Sequence, residues 1–470
     1  MKTPILSLVA ALSLAFATGA TAAEPFVPKG MPKFGADRPL PIPEIAQKTL
    51  ANGLAVWVLP RRGGNPKVDL VLAVRGGKAA DPLARPAMSD LLADLLVEGT
   101  SNRDSVRIAE DLQALGATLT ASAGNEGISL RAAGIASGAE SLALLLADVA
   151  RHANFPAAEI ELAKSNAMQA LKAAEAEASY QADNAFDEVV YGDHPYARTR
   201  PTEASIGSTD RAALVTAHAA RFRPDRALLV IAGPITGERG FALAEKAFGD
   251  WKVKGKAIAD VPKPEPTRLA QRVFVERAGS VQSAVRIGRP GFAAGNADEI
   301  PATIANAVLG GDFSSRLSRV LREEKGYTYG AYSAFSTYRL GGAFAASADV
   351  RNEVTGDAVG EFRKQMQMLV DTPVAAEELN RAKRSVAGNY LFRNQLQGAV
   401  AASLANGWLL GRPPEYLGEY VGRTNQVTAA QVQAIATKYF DPKQLSIVVV
   451  GDQAVVAQLT PYGKFVTKSK

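Results

Sequence analysis

The spacing of apolar residues changes period several times in the first third of the chain. Alternating residues flank Asn52-Gly53, and Leu54 to Leu59 reads as a strand joined to its predecessor by a two-residue Asn-Gly turn, whose twist suits such a pair. A further strand is expected at Val68 to Val74. The period then lengthens to that of helices at Met88 to Val97 and Asp104 to Leu115. In the second of these Val106, Ala109, Leu112 and Leu115 share a face, and Gly116 stands where a left-handed residue ends a helix. Strands at Ala117 to Ser122 and Gly127 to Ala132 precede a long amphipathic helix, Ala139 to His152. Hairpins mixed with helices predict an α+β fold rather than alternating βαβ units.

The same pattern returns later in the chain. Asp210 to Gly233 aligns without a gap on Thr428 to Gly451, so that Arg223-Pro224 followed by Ala227 to Gly233 matches Asp441-Pro442 followed by Leu445 to Gly451. Upstream, Ala157 to Lys164 matches Ala376 to Lys383 at nearly the same displacement. Each match is an Ala-rich helix, a Pro that stops it, and an apolar run ending at Gly. An internal duplication follows: two similar α/β sandwich-like lobes, each an antiparallel-rich sheet covered by helices. The lobes are assigned to residues 44–253 and 269–470, joined by a linker at 254–268 in which Pro262, Pro264 and Pro266 stand among charges.

Composition narrows the function. The 470 residues are 47% hydrophobic and 21% charged, a globular balance too long for one ordinary core. There is no cysteine, which removes disulfides, thiolate metal sites and cysteine nucleophiles together. A net charge of +6 with both signs interspersed gives no reason to expect a nucleic-acid partner. Lys2, the apolar run Ile5 to Phe16 and the small residues Ala20 to Ala23 read as a signal peptide over residues 1–23, cleaved near Ala22 or Ala23, followed by an extended lead-in at 24–43. The apolar run is shorter than the ~20 residues of a spanning helix. Export to the periplasm is expected, with no membrane span after cleavage.

Candidate chemistry is sparse. His152, His194 and His218 are the only histidines, none has a second histidine or a Glu at helical ligand spacing, and each is expected at the surface or in a capping role. No Gly-x-Ser-x-Gly elbow follows a strand, and Gly310-Gly311 lacks the Gly-Lys-Ser/Thr of a phosphate loop.

Several motifs do share an order: Asn52-Gly53-Leu54, the helix before Glu98-Gly99-Thr100, Leu112 to Ala121, His194-Pro195-Tyr196, and Leu321-Arg322-Glu323-Glu324-Lys325-Gly326-Tyr327-Thr328-Tyr329-Gly330. With the duplication, they make nearly the whole mature chain resemble the pitrilysin, insulysin and mitochondrial processing peptidase family. That resemblance implies a clam-shell of similar lobes acting on peptides bound extended at a sheet edge. Active members carry His-x-x-Glu-His on the helix before Gly-Thr and a Glu some 75 residues on, which hold zinc and activate its water. Here those helix positions fall on Asp90, Ala93 and Asp94, and the distal one near Gln169, with Glu175 and Glu177 as the nearest carboxylates. Zinc is therefore not expected in this chain.

The family's C-terminal domain also supplies an Arg, and a Tyr seven residues later, that contact substrate around the scissile bond. Arg322 and Tyr329 match that spacing. A helix from Ser314 to Glu324 ending at Gly326, then a strand from Tyr327 to Phe335, would bring them close; Arg316 and Arg319 should fan round that helix away from Arg322. The plain alternative pairs Arg322 with Glu323 or Glu324 and buries Tyr329 in the sheet. The resemblance implies the non-zinc subunit of an exported heterodimeric zinc metallopeptidase, inactive alone, with zinc on a homologous partner. Two rivals remain: an inert binding or structural subunit, and an independent enzyme with another metal between Asp90 and Asp94.

Overall fold

The computed structural model describes residues 44–61, 66–253 and 255–468, with Gly30 besides. The expected signal peptide lies outside the described residues, as does the lead-in apart from Gly30.

The first lobe holds β1 (Ala46–Thr49), β2 (Ala55–Pro60), β3 (Lys67–Arg75), β4 (Thr118–Ala123), β5 (Gly127–Ile135) and β6 (Ala227–Gly233). Its helices are α1 (Met88–Leu95), α2 (Ser105–Ala114), α3 (Ala139–His152), α4 (Ala157–Glu175), α5 (Ala178–Tyr191), α6 (Glu203–Ser208), α7 (Arg211–Arg221) and α8 (Gly237–Phe248). The second lobe holds β7 (Arg272–Glu276), β8 (Gln282–Pro290), β9 (Ala331–Thr337), β10 (Gly342–Arg351), β11 (Ser446–Gly451) and β12 (Val466–Lys468). Its helices are α9 (Glu299–Leu309), α10 (Thr355–Asp371), α11 (Ala376–Arg393), α12 (Gln397–Leu409), α13 (Tyr416–Asn425), α14 (Ala429–Tyr439) and α15 (Val456–Leu459).

Each set of strands forms one six-stranded sheet, in the orders β1-β2-β6-β3-β5-β4 and β12-β7-β11-β8-β10-β9. Leaving aside the first strand of each, the two orders are the same, and the senses agree. β2 is parallel to β6 and β7 to β11, while the other shared pairs are antiparallel. The sequence repeat is thus a repeat of architecture, and the class is α+β. The lobes differ at one edge, where β1 folds back antiparallel on β2 but β12 lies parallel to β7.

Amphipathic helices cover one face of each sheet, and the other face is closed by a helix from the opposite lobe. Val400, Ala401, Leu404, Ala405 and Leu409 of α12 pack on Trp57, Val71, Leu228 and Val230 of the first sheet. Reciprocally, Ala182, Ala185, Phe186 and Val189 of α5 pack on Val273, Val275, Val448 and Val450 of the second. Covering both faces explains why β6 and β11 are buried at every residue and, Ser446 apart, read as apolar runs. Polar contacts lock the exchange: Gln397 Nε2 donates to Asp69 Oδ2 (2.8 Å), Arg286 Nε to Asp183 Oδ1 (2.6 Å), and Tyr196 Oη to Glu126 Oε1 (2.6 Å), which also accepts from the Arg339 N–H (3.1 Å).

The first hairpin is looser than expected. Thr49 pairs with Ala55, so residues 50–54 make the connection, not Asn52-Gly53 alone. Gly53 does take the left-handed φ of 94°, but the Asn52 amide donates to the carbonyls of Phe248 (2.7 Å) and Trp251 (3.1 Å) after α8. This tertiary anchorage sets the loop length. Ala139–His152 is helical over the expected range, and Gly116 ends its helix with φ 55°.

Candidate functional site

The helix that would carry zinc in an active relative is framed from beneath. Asp81, buried against the guanidinium of Arg221 (2.5 Å), accepts from the N–H (2.9 Å) and hydroxyl (2.7 Å) of Ser89 and so fixes the first turn of α1. Ala93 points into the core and is 1% exposed. Asp90 lies 3.6 Å from the ammonium of Lys78, yet burial lifts its carboxyl to about 6, opposed by Lys78 and aided by Asp94. Burial raises Asp94 as well.

Asp94 opens on a groove of about 360 Å³ between α1 and α4, lined also by Glu98, Glu159, Asn166, Ala167 and Ala170. Gln169, Glu175 and Glu177 are exposed residues outside that lining. Two carboxylates, one already beside an ammonium, and a methyl group do not fit zinc's nitrogen-rich donor set. Among the described residues no group of three or more His, Asp or Glu side chains converges on a possible metal position.

The histidines serve the fold. His194 caps the turn at Pro195 by accepting from the Tyr196 N–H (3.1 Å), and His152 Nδ1 meets Asp148 (3.0 Å). His218 departs from the expected surface role: its ring stacks on Phe222, its Nε2 meets the Ala150 carbonyl (2.9 Å), and burial lowers its pKa to about 4.

The second lobe presents an open surface. Asn306 near the end of α9 clasps Ser333 of the outer strand β9 (2.9 and 2.7 Å), and this close approach explains Gly310-Gly311: a Cβ on Gly310 would lie 2.6 Å from the Ser333 hydroxyl. The segment that follows is not the expected α-helix from Ser314. Arg316 and Leu317 are α-helical, then Ser318–Glu324 widens into a π-helix, the Lys325 N–H reaching the carbonyl of Val320 (3.0 Å). The strand also begins later than expected, at Ala331. Residues 326–330 run irregularly beside β10, held there by Thr328 Oγ1 to Asp349 O (2.7 Å) and Arg351 to Gly326 O (2.9 Å).

Three arginines leave this turn in three directions. Arg316 makes a two-pronged contact with Glu378 of α11 (2.9 and 2.7 Å) and Arg319 pairs with Glu324 (2.8 Å). Among the described residues Arg322 has no carboxylate partner, so the pairing with Glu323 or Glu324 does not form; its guanidinium lies over the Phe313 ring, 4.3 Å from the centroid. Tyr329 is 95% exposed and packs in no core. The resemblance singled out Arg322 and Tyr329; Phe313, which the structure places under the Arg322 guanidinium, has no periodicity that ties it to them.

Two lobes from one duplication, each a helix-covered six-stranded sheet, define a class of paired-domain proteins, and comparison supplies the family. Residues 57–201 match the family model described as "Insulinase (Peptidase family M16)" and residues 208–386 the one described as "Peptidase M16 inactive domain". The chain belongs to the M16 peptidase family. An uncharacterised zinc protease of Mycobacterium leprae is 26% identical over 380 residues, 77% of this chain and 82% of that protein. A Helicobacter pylori protein named a non-peptidase homolog, YmxG, is 21% identical over 78% of this chain and 83% of its own length. The crystal structure of a peptidase M16 inactive domain from Pseudomonas fluorescens has the same fold, with a TM-score of 0.81 at 23% identity over 87% of this chain and 98% of that one.

Proposed function

We propose that this chain is the non-zinc subunit of an exported, two-chain zinc metallopeptidase, lending Arg322 and Tyr329 to a site whose metal belongs to a homologous partner. The observation that carries the reading is an asymmetry. The α1 positions lack the zinc donors, while among the described residues Arg322 alone of its turn's arginines has no carboxylate partner, and Tyr329 stands open seven residues on.

A guanidinium and a phenol are both hydrogen-bond donors. Placed at a peptide carbonyl, they favour the negative charge that grows on its oxygen during hydrolysis more than they favour the ground state. An arginine already neutralised by a carboxylate would do this poorly. The outer strand β9 begins two residues after Tyr329, and an extended peptide or unfolded segment can add to such an edge. An independent metal enzyme at Asp90 and Asp94 is disfavoured because Lys78 already supplies a cation there.

The second reading is an inert binding or structural subunit, favoured by the non-peptidase name of the Helicobacter pylori relative. The two separate in one assay: this chain is mixed with a homologue from the same organism that carries His-x-x-Glu-His, and cleavage of a quenched peptide is followed. The divided site requires the mixture to exceed the zinc subunit alone and Tyr329→Phe to slow it. An unchanged rate in both comparisons would establish the inert subunit.

A further inference from the structure

We propose that Phe313 is a positioning residue for Arg322, and that the π-helical turn exists to hand the guanidinium to that ring rather than to a carboxylate. This rests on the proposed role of Arg322.

Widening the ladder to i→i+5 bonds brings residues five apart onto one face, whereas in an α-helix they diverge by about 140°. Arg319 and Glu324, five apart, use that geometry to pair at 2.8 Å. Glu324 is the carboxylate nearest Arg322 in sequence apart from Glu323, and the pairing removes it from competition. Arg322 is turned to the side where Phe313 waits.

The residues flanking Phe313 are anchored. Asp312 accepts from the N–H (3.0 Å) and hydroxyl (3.1 Å) of Ser314 and from the Ser385 hydroxyl of α11, while Arg316 grips Glu378 on the same helix. These contacts hold the backbone that carries Phe313, whose side chain is 61% exposed. Exposure of a large apolar ring has a cost, and the guanidinium stacked on it is what the structure shows in return. An aromatic face holds a cation without neutralising it: the five N–H donors lie in the guanidinium plane and remain free for a carbonyl. A carboxylate would occupy them.

The test uses this chain mixed with its zinc-bearing homologue. Phe313→Leu keeps apolar volume and loses the ring; we expect kcat to fall about two- to fivefold, the range of an exposed cation–π contact, with KM unchanged. Phe313→Trp should restore the rate. In the Arg322→Ala background Phe313→Leu should change nothing further, since its effect runs through Arg322. If Arg322→Ala itself leaves the rate unchanged, the parent reading falls and this inference with it. If Arg322→Ala slows the mixture but Phe313→Leu does not, or if Phe313→Leu slows the Arg322→Ala mixture equally, the inference alone is overturned.

Discussion

The helix α1 and the turn around Arg322 treat their charged side chains in opposite ways. In the first lobe most of these groups are engaged within the chain, Asp81 with Arg221 and Ser89, Asp90 beside Lys78, and Ala93 in the core, while Asp94 opens on the α1–α4 groove. In the second lobe two of three arginines are tied to carboxylates while Arg322 and Tyr329 face outward without polar partners among the described residues. A site is marked less by the number of its charges than by which of them the fold leaves unanswered. On the proposed function, the first lobe serves as a scaffold and the second supplies the hydrogen-bond donors.

The comparison breaks most sharply if stability and rate fail to separate. Arg221→Ala leaves Asp81 buried without its counter-ion and should cost about 3–5 kcal/mol, read as a lower denaturant midpoint. Arg322→Ala should leave that midpoint within about 0.5 kcal/mol, as a surface change does, yet slow peptide cleavage by the reconstituted pair about 10²- to 10³-fold, as loss of one oxyanion donor does. A weaker effect belongs to Glu324→Gln, which releases Arg319 and loosens the π-helical turn. Turnover should drop about two- to fivefold with KM unchanged.

The smallest effect is on the scaffold side. The Asp90 pKa of about 6 lies above the ordinary value near ~3.9, so the folded state holds the proton more tightly than the unfolded chain. The resulting stability is fully present below about pH 4 and lost as pH rises through about 6. Asp90→Asn should flatten that slope in urea midpoints taken from pH 4 to 7. The gain at pH 7 should be a few tenths of a kcal/mol, because the side chain is 42% exposed and solvent screens it.

Much of this was legible in the sequence. The 3.6-residue period gave α3 its limits, because both its ends are local: His152 is the last residue before the chain extends toward Pro156. The repeat was visible because β6 and β11, buried on both faces, carry apolar residues or glycine at every position but Ser446. That α5 and α12 cross to the opposite sheet was not visible, since an apolar helix face does not say which sheet it will meet. Nor was the π-helical turn, which depends on Glu324 reaching Arg319 and on Asp312 meeting Ser385 on a distant helix. Which residues of α4 would line the groove below Asp94 was not visible either, because the docking of α4 on α1 is a tertiary contact.

The central claim, that the metal and the Arg322–Tyr329 pair reside on different chains, is tested most directly by stripping metal from one subunit at a time. Each chain is treated with chelator alone, freed of it, and mixed with its untreated partner before peptide cleavage is measured. Treatment of this chain should leave the rate unchanged, and treatment of the zinc-motif partner should abolish it until zinc is returned. A rate that falls when only this chain has been stripped, and recovers on adding metal to it, would contradict the account.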